Sequence, residues 1–184
     1  MPITVKIPAG SEAFDSETLE FLTVDRDIII TLEHSLVSIQ KWEQKWHVAF
    51  LDPKHAKTTE QTLDYLRCMT LSKNSIEDYV YRLIPREEME RIKAYIENPM
   101  TATTIKESGR HGEREIKTAE VLYSDMILLG IPFECKKWHL NSLIMLINVC
   151  SEKQKPPKKM SPAEIAAQNR ALNRARRAAL NSKG

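Results

Sequence analysis

The chain has 184 residues, 42% hydrophobic and 28% charged, enough for one ordinary core with room for an appendage. Its net charge of +2 hides a division: residues 151–184 carry nine Lys/Arg against two acids, or +7, which leaves −5 for residues 1–150. Low-complexity, exported and membrane-spanning classes are all disfavoured. The start has no charged-then-apolar pattern, and the apolar-rich run Leu140 to Cys150 falls short of the about 20 residues a bilayer requires. Three cysteines (Cys68, Cys135, Cys150) show no paired spacing, so reduced thiols in a cytoplasmic compartment are expected.

Residues 1–34 read as strands. Ile3, Val5 and Ile7 alternate with polar neighbours, Asp15 to Thr18 suits a turn, and Leu19 to Val24 suits its hairpin partner. Ile28 to Leu32 is rich in β-branched residues. A single antiparallel sheet of three or four strands is expected.

After Ser35 the period becomes helical. Ile39, Trp42, Trp46, Ala49 and Phe50 share one face, which predicts a helix running through Phe50. The two tryptophans then belong to the core. Thr58 and Gln61 have capping-box spacing ahead of the stripe Leu63, Leu66, Met69. Ser75 with Asp78 predicts a short helix ending near Pro85. Pro85 can open the next, with Met89, Ile92 and Ile96 in register until Asn98-Pro99. Lys106 to Glu113 reads as an exposed loop. Glu115 to Leu129 reads as a helix, with Gly130 as its C-terminal cap and Pro132 beyond. From Phe133 to Cys150 the apolar residues nearly encircle a helix, which predicts a central hub with Trp138 packed near its start.

These patterns predict an α+β protein. A body spans residues 1–152, strand-rich over 1–34 and helical over 35–152, with about five helices. A Lys/Pro linker follows at 153–160. Residues 161–184 form a basic amphipathic helix, opened by the Ser161-Pro162-Ala163-Glu164 start. At 100° per residue, Ile165, Leu172, Ala175 and Ala179 share a narrow apolar face of this helix. Arg170, Arg174 and Arg177 lie opposite, and Arg176 sits on the apolar edge. These eight residues are the candidate partner-binding set, weighed against a merely solvated surface helix.

Catalytic and cofactor signals are absent, so no enzyme, cofactor or metal is expected. Cys135 and His139 stand four apart on what reads as one helix, but without a second ligand pair they are taken as buried residues. His34, His47, His55 and His111 lack ligand spacing, and Ser35 and Ser38 beside His34 come with no nucleophile elbow. Nucleic acid is a weak reading of the basic arm, which carries no aromatic residue for base stacking and no recognition fingerprint.

Several segments, in this order, carry a resemblance. They are PITVKIP, EHSLVSIQKWEQKWH, LDYLRCMTL, NPMTAT, IPFECKKWHLNSLIMLINVC, and PPKKMS followed by RALNRARRAALNSKG. From end to end the chain resembles tail assembly chaperones of long-tailed phages and prophages of Gram-positive bacteria. The resemblance implies a non-enzymatic role: coating the long, helical tape-measure protein until tail-tube subunits polymerise around it; the tethered amphipathic helix adds an expectation of self-association. It implies location in the host cell cytoplasm and absence from the finished virion. It also implies two product lengths made by frameshifting, of which this chain reads as the shorter. It supplies no residue-level site. The rival readings are a structural tail or head–tail connector protein and a small nucleic-acid-binding regulator.

Overall fold

The computed structural model describes residues 2–15, 19–71, 76–104, 116–154 and 161–180. The protein is α+β, and it divides into two compact units, Met1–Glu152 and Lys153–Gly184.

Unit one opens with four strands: β1 (Ile3–Ile7), β2 (Glu12–Asp15), β3 (Glu20–Thr23) and β4 (Ile28–Leu32). They form two separate two-stranded antiparallel ladders, β1 with β4 and β2 with β3, rather than the single sheet expected. The cause is local. Gly10 adopts φ 77 and donates its N–H to the Val24 carbonyl, so the chain turns out of β1 and the hairpin pairs with itself. In the first ladder Val5 faces Ile30, and Val5, Ile7, Ile30 and Leu32 are fully buried while Thr4 and Lys6 face solvent. That is the period-two alternation of a sheet covered on one face. Of the anticipated Asp15–Thr18 turn, residues 16–18 lie outside the described residues.

Helix α1 (Leu36–Trp46) buries Leu36, Ile39 and Trp42 completely and packs against α2 (Thr59–Met69) and α4 (Ala119–Leu128). It ends at Trp46, four residues before the stripe does, because His47 turns left-handed (φ 53) and donates its N–H to the Glu43 carbonyl. Phe50 still reaches the core, folding back so that its ring meets Trp42 edge-on at 5.2 Å. Helix α2 begins with the anticipated capping box: Thr58 accepts from the Gln61 N–H, and the Gln61 side chain accepts from the Thr58 N–H.

The short helix expected before Pro85 is present as a 3-10 helix, Asp78–Leu83, and Ser75 lies outside the described residues. Helix α3 (Arg86–Glu97) follows Pro85, buries Ile92 and Tyr95, and ends at Asn98. The loop expected at 106–113 also lies outside the described residues. Helix α4 starts at Ala119, later than expected, where Thr118 caps the Val121 N–H. It closes as anticipated at Gly130, which adopts φ 67. Gly130 donates to the Ile127 carbonyl and Ile131 to the Met126 carbonyl, the paired bonds of a Schellman ending.

The expected central helix differs most from its pattern. Phe133–Lys137 is a 3-10 turn, and α5 (Leu140–Gln154) begins only after His139. Only Leu140, Leu143 and Ile147 of α5 are buried; Ile144, Met145, Leu146 and Val149 are partly exposed. Trp138, expected to pack, is 49% exposed. The helix lines one side of the core, and Met145, Leu146 and Val149 stay partly exposed on its other side, so the centre of the fold is α1. Leu143→Ala or Ile147→Ala is therefore expected to cost about 2–5 kcal/mol. Met145→Ala and Val149→Ala should each cost less than about 1 kcal/mol, as at partly exposed sites. Urea midpoints of the four variants check this, and equal losses would mean α5 is buried all round.

Unit two is dominated by α6 (Pro162–Ala179). Ser161 accepts from the Glu164 N–H and Glu164 accepts from the Ser161 N–H, with Pro162 at the first helical position, as the spacing implied. Lys153 and Gln154 are the last residues of α5 and not linker. The remaining linker residues 155–160, and residues 181–184, lie outside the described residues.

Candidate partner-binding surfaces

All eight sequence-selected residues lie on α6, and each is exposed. Ile165 and Leu172, the large residues of the apolar stripe, are 45% and 47% exposed. Arg170 is partly tied back, its Nε donating to the Ala166 carbonyl at 3.2 Å. The helix therefore offers an apolar edge and a cationic face, and its own local bonds hold it in shape. The strong cap and the many Ala and Arg residues favour helix without help from burial.

A second surface was not anticipated. It is an open groove of about 810 Å³ beside α5, lined by Trp138, Met145, Leu146 and Val149 on one wall and Met100, Thr101 and Thr103 on the other. Glu33 and Lys137 supply its charges. The second wall is pinned to α5 by its narrow polar strip. Asn141 Nδ2 donates to the carbonyls of Ile96 (2.9 Å) and Asn98 (2.8 Å), and Ser142 Oγ donates to the Met100 carbonyl at 2.7 Å. Asn98 accepts from the Met100 N–H, and Met100 takes a left-handed φ of 49. The wall thus hangs on hydrogen bonds, while methionines supply its adaptable apolar surface. The apolar character of Met145, Leu146 and Val149 was visible in the sequence; how far each is exposed depends on tertiary neighbours, which periodicity does not report.

Behind the groove lies a buried polar cluster. His139 donates Nε2–H to the Tyr95 carbonyl at 3.0 Å, because a carbonyl can only accept. Its Nδ1 is then free to accept from the Asn141 N–H, so the imidazole caps the start of α5. His34 Nδ1 meets the Tyr65 hydroxyl at 2.5 Å, and the two imidazoles stack edge-on at 5.0 Å. The backbones join as well, Leu140 N–H donating to the His34 carbonyl at 2.9 Å. Ser38 Oγ donates to the Glu33 carbonyl and Ser35 Oγ pairs with Ser38 Oγ, which occupies both hydroxyls locally. This cluster ties β4, α2, α3 and α5 together. Cys135 and His139 do not share a helix: Cys135 belongs to the 3-10 turn before α5. Among the described residues no three His, Cys, Asp or Glu side chains gather to hold a metal.

Burial, with help from the neighbouring His139, pushes His34 down to about 3. His139 is lowered in the same direction by its own burial. His34 therefore stays neutral in the folded chain down to a pH of about 3, and His139 takes up its proton less readily than in the unfolded chain, where both titrate near pH 6.5. Stability from these histidines is present above pH 6.5 and is lost as pH falls toward 3, at about 1.4 kcal/mol per pH unit for each extra proton bound by the unfolded chain. Glu33 and Glu43, both raised by burial, act in the opposite sense over the carboxylate range. Urea midpoints between pH 7 and pH 5 should fall more steeply for the native chain than for His34→Gln. Parallel curves would mean that His34 is accessible to protons.

Trp42 belongs to the core, as expected, whereas Trp46 is only partly buried against it. Trp42 Nε1 donates to the Gln61 carbonyl at 2.9 Å and Trp46 Nε1 to Asp64 Oδ2 at 2.9 Å. Burial works against the Asp64 charge, but Lys45, Trp46 and Arg67 together hold its carboxyl below the usual range. No helix among the described residues is long and apolar enough to cross a membrane. No family model, curated protein or solved structure matches this chain.

Proposed function

We propose that the protein is a non-enzymatic chaperone of phage tail assembly that binds the tape-measure protein while tail-tube subunits polymerise around it. The reading rests on the end-to-end resemblance and on one structural observation. α6 is a capped, basic, amphipathic helix whose apolar stripe is exposed along its length. Such a helix suits helix-in-groove contact with a client or a neighbouring copy. The groove beside α5 adds a methionine-bearing apolar surface to which a long helical client can adapt. The arginines of α6 speed encounter with acidic partners more than they add affinity. Many weak contacts repeated along one client give avidity without strong single sites. The setting is the host cell cytoplasm, and the finished virion lacks the protein.

Co-expression with the tape-measure protein tests the reading. The native chain should retain the client in a pull-down, and Leu172→Asp, which places a charge in the stripe, should lose most of it. Changing Cys135 and His139 together to Ala should spare capture in whatever fraction remains folded. Capture that survives Leu172→Asp, or is lost with Cys135/His139 while the fold stays intact, defeats the assignment. Mass spectrometry of purified virions separates this role from that of a resident tail or connector protein.

A further inference from the structure

The β2–β3 hairpin has an inverted face. Ala13 and Leu22 turn toward the core, whereas Phe14 and Phe21, directly opposite each other in the register, turn outward. They are 56% and 70% exposed, with ring centroids 5.3 Å apart. Leu19, held at φ 58 beside them, is 75% exposed. An outward cross-strand phenylalanine pair adds nothing to a core, and exposed apolar clusters of this kind mark interaction sites. The segment's own charge is one-sided: residues 8–25 contain five acids and no Lys, Arg or His, with Arg26 following directly. Glu12 lies on the phenylalanine side of the ladder and is exposed.

α6 carries the complementary chemistry. It has four Arg and one Glu, with Ile165 and Leu172 on its stripe and Arg176 at the stripe's edge. Seven residues of helix span about 10 Å, enough for Ile165 and Leu172 to straddle two rings at the observed separation. An acidic, aromatic patch selects a basic amphipathic helix, and this chain supplies one.

We propose that α6 of one copy docks on the β2–β3 hairpin of a second copy, Ile165 and Leu172 against Phe14 and Phe21, with Arg176 toward Glu12. The contact joins two different patches, so every added copy presents a fresh arm and a fresh hairpin. Such heterologous pairing extends head to tail or closes into a ring. It names the partner of α6 within the proposed function and rests on that reading for its purpose: copies joined this way become the multivalent coat an extended client needs.

The test uses the purified full chain without client, in sedimentation velocity over a concentration series at two salt concentrations. Species larger than the monomer should grow with concentration and diminish with salt. Phe14→Ser/Phe21→Ser and Leu172→Asp should each sediment as a monomer while retaining the native melting temperature. Mixed in equal amounts they should form a one-to-one pair, because one supplies an intact arm and the other an intact hairpin. A second route avoids apolar changes: Glu12→Arg and Arg176→Glu should each weaken association, and mixing them should restore it. A native chain that stays monomeric, including one whose arm folds back on its own hairpin, overturns the proposal. So does a hairpin variant that associates normally, or variants that fail to complement. Self-association of this kind without client capture would sink the chaperone reading and leave this contact standing. A monomer that captures the client would do the reverse.

Discussion

Trp42→Ala is expected to cost about 3–5 kcal/mol, the largest loss of any single truncation proposed for this fold. The indole is fully buried on α1, meets Phe50 edge-on at 5.2 Å and lies under Lys57 Nζ at 5.8 Å. Its Nε1–H also reaches the Gln61 carbonyl on α2 at 2.9 Å. Truncation thus opens a cavity where α1, α2 and the turn after α1 meet, and it removes a hydrogen bond worth about 0.5–1.5 kcal/mol. Against a typical total stability of about 5–15 kcal/mol, the variant should unfold at far lower urea. Trp42→Phe should recover most of the loss, since it keeps an aromatic partner for Phe50 and gives up the N–H. A loss below about 1 kcal/mol for the alanine variant would place the core elsewhere.

Glu43→Ala should cost about 2–5 kcal/mol through a different mechanism, at a residue that looks like an ordinary surface glutamate of α1. Its carboxylate is buried and bridges two backbone donors. Oε1 accepts from the Phe50 N–H and Oε2 from the Ala119 N–H, each at 2.7 Å. One bond shapes the turn that brings Phe50 home, and the other holds the first residue of α4, where a helix N-terminus favours negative charge. Removing the side chain leaves two buried N–H groups without partners, at about 1–3 kcal/mol each. Glu43→Gln keeps one acceptor and sets an amide NH₂ against the other donor, so its loss should be intermediate. Urea unfolding of the three proteins gives the order. Hydrogen exchange at Phe50 and Ala119 should accelerate selectively in the alanine variant, and unchanged exchange there would break the argument.

The sequence by itself determined what short-range bonding decides. The α2 and α6 capping boxes and the Gly130 ending form within a few residues, so the side chains that make them sit together in the chain. Alternation in β1 and β4 was legible for the same reason, as was the basic, capped α6 that carries the whole candidate set. Tertiary structure decided how far each pattern runs and what covers it. α1 stops where His47 turns left-handed, and the Glu43 side chain then fixes the following turn by holding Phe50 and, 76 residues away, Ala119. α5 is apolar nearly all round, yet only Leu140, Leu143 and Ile147 find a fully buried place, while Met145, Leu146 and Val149 line a groove. Phe14 and Phe21 have the spacing of ordinary strand residues, and only the β2–β3 register turns both outward. Periodicity records which residues share a face. Burial depends on which distant segment arrives at that face, and that is settled by contacts that no local window contains.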